Sequence, residues 1–345
     1  MPLLRLLKIL LAVVLCAALV VVWLLFISAT DFEEDKFTLL IPSQSTYNDV
    51  LENVQNNRVV KYPTLFDWTA KALNYPERVK PGRYQITSGA SMLDIIRMLR
   101  NGQQTPVNLV IGRWRTRYEA AGKLGRYLEA DSTSILQFLN SPDSLRAYGV
   151  DTNTVMTVFI QNTHSVFWTS PFSKLFKRLH QEQEKFWSET RKQKAQKLGL
   201  TPTQVFTLAS IVEEETNQKA DKGKIASVYL NRLQKGMRLG ADPTVKFALQ
   251  DFTLKRIYNK HTQFPSPYNT YVTSGLPPGP ICLPSIQTID AVLDAPTTPY
   301  LFFVAKEDFS GYSNFAETYE QHLVYARAYQ QALDRLMAAR NPSQP

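Results

Sequence analysis

The sequence is poor in cysteine, histidine and glycine, and each shortage removes a class of chemistry. Two cysteines, Cys16 and Cys282, among 345 residues exclude a disulfide-built scaffold and any four-cysteine zinc or iron–sulfur site. Four histidines (His164, His180, His261, His322) nowhere form an H-E-x-x-H pair, and neither a G-x-S-x-G elbow nor a P-loop occurs. With 14 glycines there is no Gly/Ser-rich linker to divide the chain. What is present is ordinary: 44% apolar and 20% charged residues, a globular composition that excludes wholesale disorder. The length allows two or three domains at ~100–200 residues each. A net charge of +9 is spread too thinly to make a nucleic-acid surface, and no nucleic-acid partner is expected.

The informative apolar run is Ile9–Ile27, ILLAVVLCAALVVVWLLFI, which carries no charge over 19 residues. At a rise of ~1.5 Å per residue it would cross roughly 30 Å of hydrocarbon. Arg5 and Lys8 precede it and Asp31, Glu33, Glu34 and Asp35 follow, so positive-inside logic leaves a short cytoplasmic tail and everything after about residue 30 outside. A cleaved signal would have an apolar region of only ~7–15 residues. Leu15 before Cys16 is also not the small residue of a lipoprotein signal. The expectation is therefore a single-pass anchor in the cell (inner) membrane, with Cys16 in lipid, Cys282 on the extracytoplasmic side, and no disulfide between them.

Beyond it, Phe37–Ile41 is strand-like and Tyr47–Val54 helical, with Ser45 as its cap and Val50, Leu51 and Val54 as its apolar stripe. A second such unit follows: a Pro81-Gly82 turn, a strand at Arg83–Ile86, and a helix over Met92–Leu99 led by Ser91 and closed by Asn101-Gly102. Neither piece buries its face alone, so the two are expected to share one small α+β module. Residues 103–200 read as mostly helical and polar, and the charged run Lys174–Lys197 is the solvated side of helices whose Leu175, Phe176, Leu179, Phe186 and Trp187 face a core. Tyr319–Ala339 is a further amphipathic helix, and Asn341–Pro345 a frayed end.

The densest chemistry lies between Thr201 and Pro284. Thr201 and Thr203 can cap a helix entered through Pro202, and Val205, Leu208, Ala209 and Val212 form its apolar stripe. Glu213, Glu214 and Glu215 follow at once. At about 100° per residue they diverge, so they cannot share a metal. Glu213, beside Val212 and one turn after Ala209, sits at the edge of the buried stripe, where desolvation would raise its pKa toward that of a general acid. Glu214 is expected in solvent. Glu215 could cap, pair with Lys219 or order the site. Asn231 reads as a core amide, and Asp242 as the cap of a helix with Pro243 at its first position. The stretches Ser266–Tyr271 and Gly275–Ile281 are rigid loops whose Tyr, Asn and Thr suit sugar binding.

Five of these stretches, ASIVEEET (209–216), ASVYLNRL (226–233), ADPTV (241–245), YNTY (268–271) and GLPPGPI (275–281), resemble in order and spacing the endolytic murein transglycosylase family (YceG-like). The resemblance implies an α+β chain with a single N-terminal transmembrane helix (1–30), a small LysM-like module (31–110) and a larger catalytic domain (111–345). It implies Glu213 as the catalytic acid/base, with Asn231, Asp242, Tyr268, Asn269 and Thr270 lining or bracing the cleft; Glu215, read from its own position, is counted with these substrate-binding residues. Should Glu213 not serve, Glu215 is the next choice for the acid. The chain departs from the family at Gly240-Ala241, at His164 and at Ser313, which bears on the cleft rim.

The implied reaction is endolytic cleavage of nascent peptidoglycan strands between N-acetylmuramic acid and N-acetylglucosamine. The C6 hydroxyl of the muramic acid attacks its own C1 and leaves a 1,6-anhydro end, which limits strand length. One carboxylate suffices for this, whereas an ordinary glycosidase needs two. No metal or organic cofactor is implied. Glycan strands are the expected partner, with peptidoglycan synthases beside them and the membrane reached through the first helix. Two other readings stay open: a non-catalytic peptidoglycan-binding scaffold, and a hydrolase using Asp242 or Glu215 as second carboxylate.

Overall fold

The computed structural model describes the backbone of residues 2–340 and the side chains of all of these except 2–5, 17, 18, 21, 339 and 340. The chain forms two compact units, Met1–Leu109 with Arg126–Ala130 and Ser165–Pro171, and Val110–Gly125 with Asp131–His164 and Phe172–Pro345.

The first unit opens with helix α1 (Pro2–Phe26), followed by β1 (Lys36–Ile41), α2 (Tyr47–Asn56), α3 (Pro63–Ala72), β2 (Gly82–Thr87) and α4 (Met92–Asn101). The strands pair antiparallel, from Lys36 opposite Thr87 to Ile41 opposite Gly82. Alternation along β1 and β2 turns Leu39, Ile41, Tyr84 and Ile86 inward onto Val50, Val54, Phe66, Ile95, Ile96 and Leu99. The two expected strand–helix pieces thus do share one core, with α3 inserted between them. Ser91 caps α4 as anticipated, and Gly102 closes it at φ 70°. The cap of α2 is Thr46 rather than Ser45: its hydroxyl takes the Asp49 N–H while the Asp49 carboxylate takes its own, a reciprocal box one residue further on.

Among the described residues no helix is long and apolar enough to cross a membrane. A span needs about 20 consecutive, predominantly apolar residues, and the described part of α1 does not supply them. The expected transmembrane helix is therefore withdrawn from the fold class, which is mixed α and β. The single-pass inner-membrane placement, with a catalytic domain on its outer side, falls with it.

After β3 (Val107–Ile111), the larger unit runs through α5 (Arg117–Leu124), α6 (Ser132–Asn140), α7 (Pro142–Arg146), β4 (Asn162–Val166, paired with β3), α8 (Phe172–Phe186) and α9 (Glu189–Lys197). Its centre is α10 (Pro202–Glu215) and α11 (Lys219–Gln234), joined by α12 (Asp242–Leu249), the short α13 (Asn259–Thr262) and α14 (Ile286–Leu293). The hairpin of β5 (Phe302–Ala305) and β6 (Ser313–Ala316) and the long α15 (Tyr319–Arg340) complete it. The charged run 174–197 is two helices, because Ser188 starts α9 as its cap. Leu175, Phe176, Leu179 and Trp187 are buried as expected, whereas Phe186 is only half-buried. The expected frayed end, Asn341–Pro345, lies outside the described residues.

Candidate active site

Helix α10 carries the site because its first and last turns are both pinned. Thr201 and Gln204 close a capping box at one end, with Pro202 at the first helical position. Every residue from Val205 to Val212 is buried, so the middle of the helix is a core element and its three glutamates emerge at its C-terminus. Ser210, fully buried, accepts the Ile281 N–H at 3.0 Å, and its carbonyl accepts the Cys282 thiol. The GLPPGPI loop is thereby fastened along α10.

At the end of α10 the three glutamates diverge, as helical geometry requires. Oε2 of Glu213 receives Nζ of Lys222 at 2.8 Å, the Ser285 hydroxyl at 3.0 Å and the Thr288 hydroxyl. Lys222 also donates to Thr288 at 2.6 Å, so α10, α11 and α14 meet at one buried ion pair whose side chains are 11% and 10% exposed. Burial pushes the Glu213 carboxyl up, but the Lys222, Thr288 and Ser285 donors outweigh it and hold it below the usual range. That reverses the expectation of a raised pKa at Glu213. The apolar stripe does desolvate the carboxyl, but the Lys222 ammonium, nine residues on in the chain, offsets that burial.

Glu214, expected in solvent, is instead gripped by Arg115 through a forked pair at 3.2 and 3.0 Å. Glu215 is the last residue of α10, and its Oε1 accepts the Tyr229 hydroxyl at 2.6 Å. Burial is the largest influence on it and raises its pKa; Tyr229 opposes this, and Asp242 adds to it. The outcome is a carboxyl pushed up to about 7. The negative end of the α10 dipole acts in the same direction. Burial and the Glu215 charge push the Tyr229 phenol far up, so it remains a donor.

The other expected residues fall into two groups. Asp242 is not a cap: Ala241 holds that position, while the Asp242 carboxylate accepts the Tyr271 hydroxyl at 2.7 Å. Its charge reaches Glu215 and adds to the rise of that carboxyl. Tyr268 lines a cavity of about 260 Å³ and packs on Phe247 with ring centroids 4.8 Å apart. Asn231, Asn269 and Thr270 are braces. Asn231 donates to the carbonyls of Thr298 and Tyr300, and fully buried Asn269 to those of Thr262 and Phe264. Fully buried Thr270 takes the Ala241 N–H and bonds Thr244, locking the YNTY loop to α12.

Three departures from the family pattern also find their places. Gly240 stands at φ 57° with its N–H on the Thr270 carbonyl. His164 is buried and pairs with Glu182 at 3.0 Å. The Ser313 N–H donates to Asp221 at 2.7 Å. Sequence reasoning missed Lys222, Tyr229, Ser285, Thr288 and Arg115. A signal was available for Tyr229 alone, inside the ASVYLNRL motif. Among the described residues no group of three His, Cys, Asp or Glu side chains could hold a metal.

A carboxyl held near neutrality at a helix end, with an ion-paired carboxylate two residues before it, is an arrangement suited to general acid–base chemistry. The YceG-like family profile matches residues 39–328, and the chain belongs to that family. A protein of Bacillus subtilis (strain 168) named endolytic murein transglycosylase is 30% identical over 306 residues, covering 82% of this chain and 81% of its own. One of the same name from Streptococcus pneumoniae (strain R6) is 25% identical over 323 residues; the match takes in 83% of this chain but 57% of that longer protein. A solved yceG-like structure from Listeria monocytogenes superposes with a TM-score of 0.57 at 26% identity, covering 84% of this chain and 98% of that one.

Proposed function

We propose that this protein is an endolytic murein transglycosylase: it cuts peptidoglycan glycan strands within the chain, between N-acetylmuramic acid and N-acetylglucosamine, leaving 1,6-anhydro ends. Family membership supports the substrate, and the observation that carries the mechanism is the Glu215 carboxyl, pushed up to about 7 beside the Tyr229 hydroxyl. An acid catalyst must hold its proton at working pH and yield it readily, which a pKa near that pH allows. Glu213 is already charged and tied to Lys222, so it is assigned a supporting role and Glu215 the acid/base role.

In the first step Glu215 gives its proton to the glycosidic oxygen as the C1–O bond breaks. The C6 hydroxyl of the same muramic acid then closes on C1, and its proton returns to Glu215, restoring the acid. A tethered nucleophile of this kind can reach effective molarities of ~10⁵–10⁸ M in favourable models. The small first unit, with its β1-α2-α3-β2 order, is proposed as a LysM-like glycan grip. Peptidoglycan synthases, which make the strands, are proposed partners.

The test is mass spectrometry of products from purified peptidoglycan digested by the full chain. Products ending in 1,6-anhydro-N-acetylmuramic acid, lost in Glu215→Gln and retained in folded Glu213→Gln, are expected. Reducing ends would instead make water the nucleophile and Asp242 the candidate second carboxylate. Absence of products from the native chain, with glycan binding retained, would favour a scaffold.

A further inference from the structure

The cavity of about 260 Å³ is not used by the acid–base step. Arg117 and Tyr118 at the start of α5, the turn at Asn153, Gln250 beyond α12, and Tyr268 contribute to its wall. Chain segments more than a hundred residues apart are held there by close packing. A Cβ on Gly279 would lie 2.0 Å from the Asn153 carbonyl oxygen, and the Tyr268 hydroxyl donates to Oδ1 of the same asparagine at 3.3 Å. This part of the wall is therefore held by a close backbone approach and a side-chain hydrogen bond.

Its charge balance is uneven. Arg115 and Arg117 both line it. Arg115 is committed to Glu214. Arg117 donates Nη1 to the Thr152 carbonyl at 2.6 Å and forms no ion pair among the described residues. The acid whose field reaches this wall, Asp151, already accepts the Thr154 hydroxyl at 2.8 Å and the N–H groups of Asn153 and Thr154 at 2.9 and 2.8 Å. A guanidinium has five N–H donors in a planar fork that matches a carboxylate. The space admits one residue-sized group rather than a length of glycan. Tyr118, 62% exposed, offers an aromatic face at the rim.

We propose that this cavity is the subsite for the carboxylate-bearing peptide substituent of the glycan strand, with Arg117 taking the carboxylate and Tyr118 and Tyr268 packing its aliphatic part. The inference rests on the murein reading above and gives that site its substrate selectivity. Arg115 joins the two places, since it lines the cavity and grips Glu214, the neighbour of Glu215 in the chain.

The experiment measures binding of the full chain to glycan strands bearing their peptides and to the same strands stripped by an amidase. The native chain should bind the peptide-bearing strands about tenfold tighter or more, the range of one charge-assisted hydrogen bond. Arg117→Ala should collapse the two affinities toward one value, and Arg117→Lys should restore part of the difference. Gln250→Glu, which adds an anion from an exposed position on the same wall, should also remove the preference and serves if Arg117→Ala fails to fold. Equal affinities in the native chain, or a preference that survives both Arg117→Ala and Gln250→Glu, would overturn the subsite. The murein reading is judged separately, by whether the native chain produces 1,6-anhydro ends from either substrate.

Discussion

The Tyr229 hydroxyl donates to Oε1 of Glu215 at 2.6 Å across the gap between α11 and the end of α10. This bond favours the charged carboxylate and so works against the burial that raises Glu215. Removing it in Tyr229→Phe should move the Glu215 pKa higher still. If Glu215 must be protonated to act, the alkaline limb of the pH–rate profile moves to higher pH in the variant. An unmoved limb, measured by initial rates of anhydro-product formation, counts against Glu215 as the acid.

Stability should carry the same signature. The Glu215 carboxyl rises from an ordinary 4.5 to about 7 on folding, so the folded protein binds the proton more tightly than the unfolded chain. Its contribution is present in full below about pH 4.5 and is lost as pH climbs through about 7, a swing on the order of 3 kcal/mol. Glu215→Gln cannot titrate and should flatten that part of the stability curve. Urea unfolding of both proteins from pH 4.5 to 8 reads the difference directly.

Glu213 should behave in the opposite sense. Its carboxyl is held below the usual range, so its contribution is present above about pH 4.5 and fades as pH falls through the lowered folded value. Glu213→Ala leaves the Lys222 ammonium buried without its partner, at a cost of about 3–5 kcal/mol at neutral pH. Thermal melts should show that loss at pH 7 and a narrowing gap only in strong acid. A variant as stable as the native chain at pH 7 would mean that the buried pair contributes nothing net.

Gly279→Ala places a methyl group 2.0 Å from a backbone oxygen, and that oxygen belongs to Asn153 in the cavity wall. The backbone of one segment must move, so the variant should lose about 1–3 kcal/mol of stability and weaken binding of peptide-bearing strands. Native-like melting and binding together would show that the wall is not held by this approach.

Asn231→Leu removes two donors from the carbonyls of Thr298 and Tyr300. As a brace it should lower stability by about 1–3 kcal/mol and leave KM near its native value. A rise in KM without loss of stability would instead place Asn231 against the substrate.

Much of this arrangement was legible in the chain itself. Capping chemistry set the start of α10 at Thr201-Pro202, the aliphatic spacing buried its shaft, and three adjacent glutamates had to diverge because each residue turns about 100°. The same local rules located β1, β2 and α4, because alternation and caps are written in neighbouring residues. Where local rules had two equivalent choices they missed by one residue, as with Ser45 and Thr46. The apolar run at the N-terminus suggested a span that no helix among the described residues provides.

Which glutamate meets which partner was decided by tertiary structure alone. Position beside the apolar stripe marks Glu213 as desolvated, yet Lys222 on α11 and Thr288 on α14 turn it into a held anion. Glu215 looks like a frayed helix end, yet burial, the helix dipole and the charge of Asp242 make it the carboxyl that keeps its proton near neutrality. A pKa is set by the charges and donors that surround a group in space, and these come from residues up to 75 positions away. The sequence by itself determined the family, the helix that bears the three carboxylates and the loops around them. The packing of α11, α14 and the YNTY loop against that helix decided which carboxylate is held as an anion and which keeps its proton near neutrality.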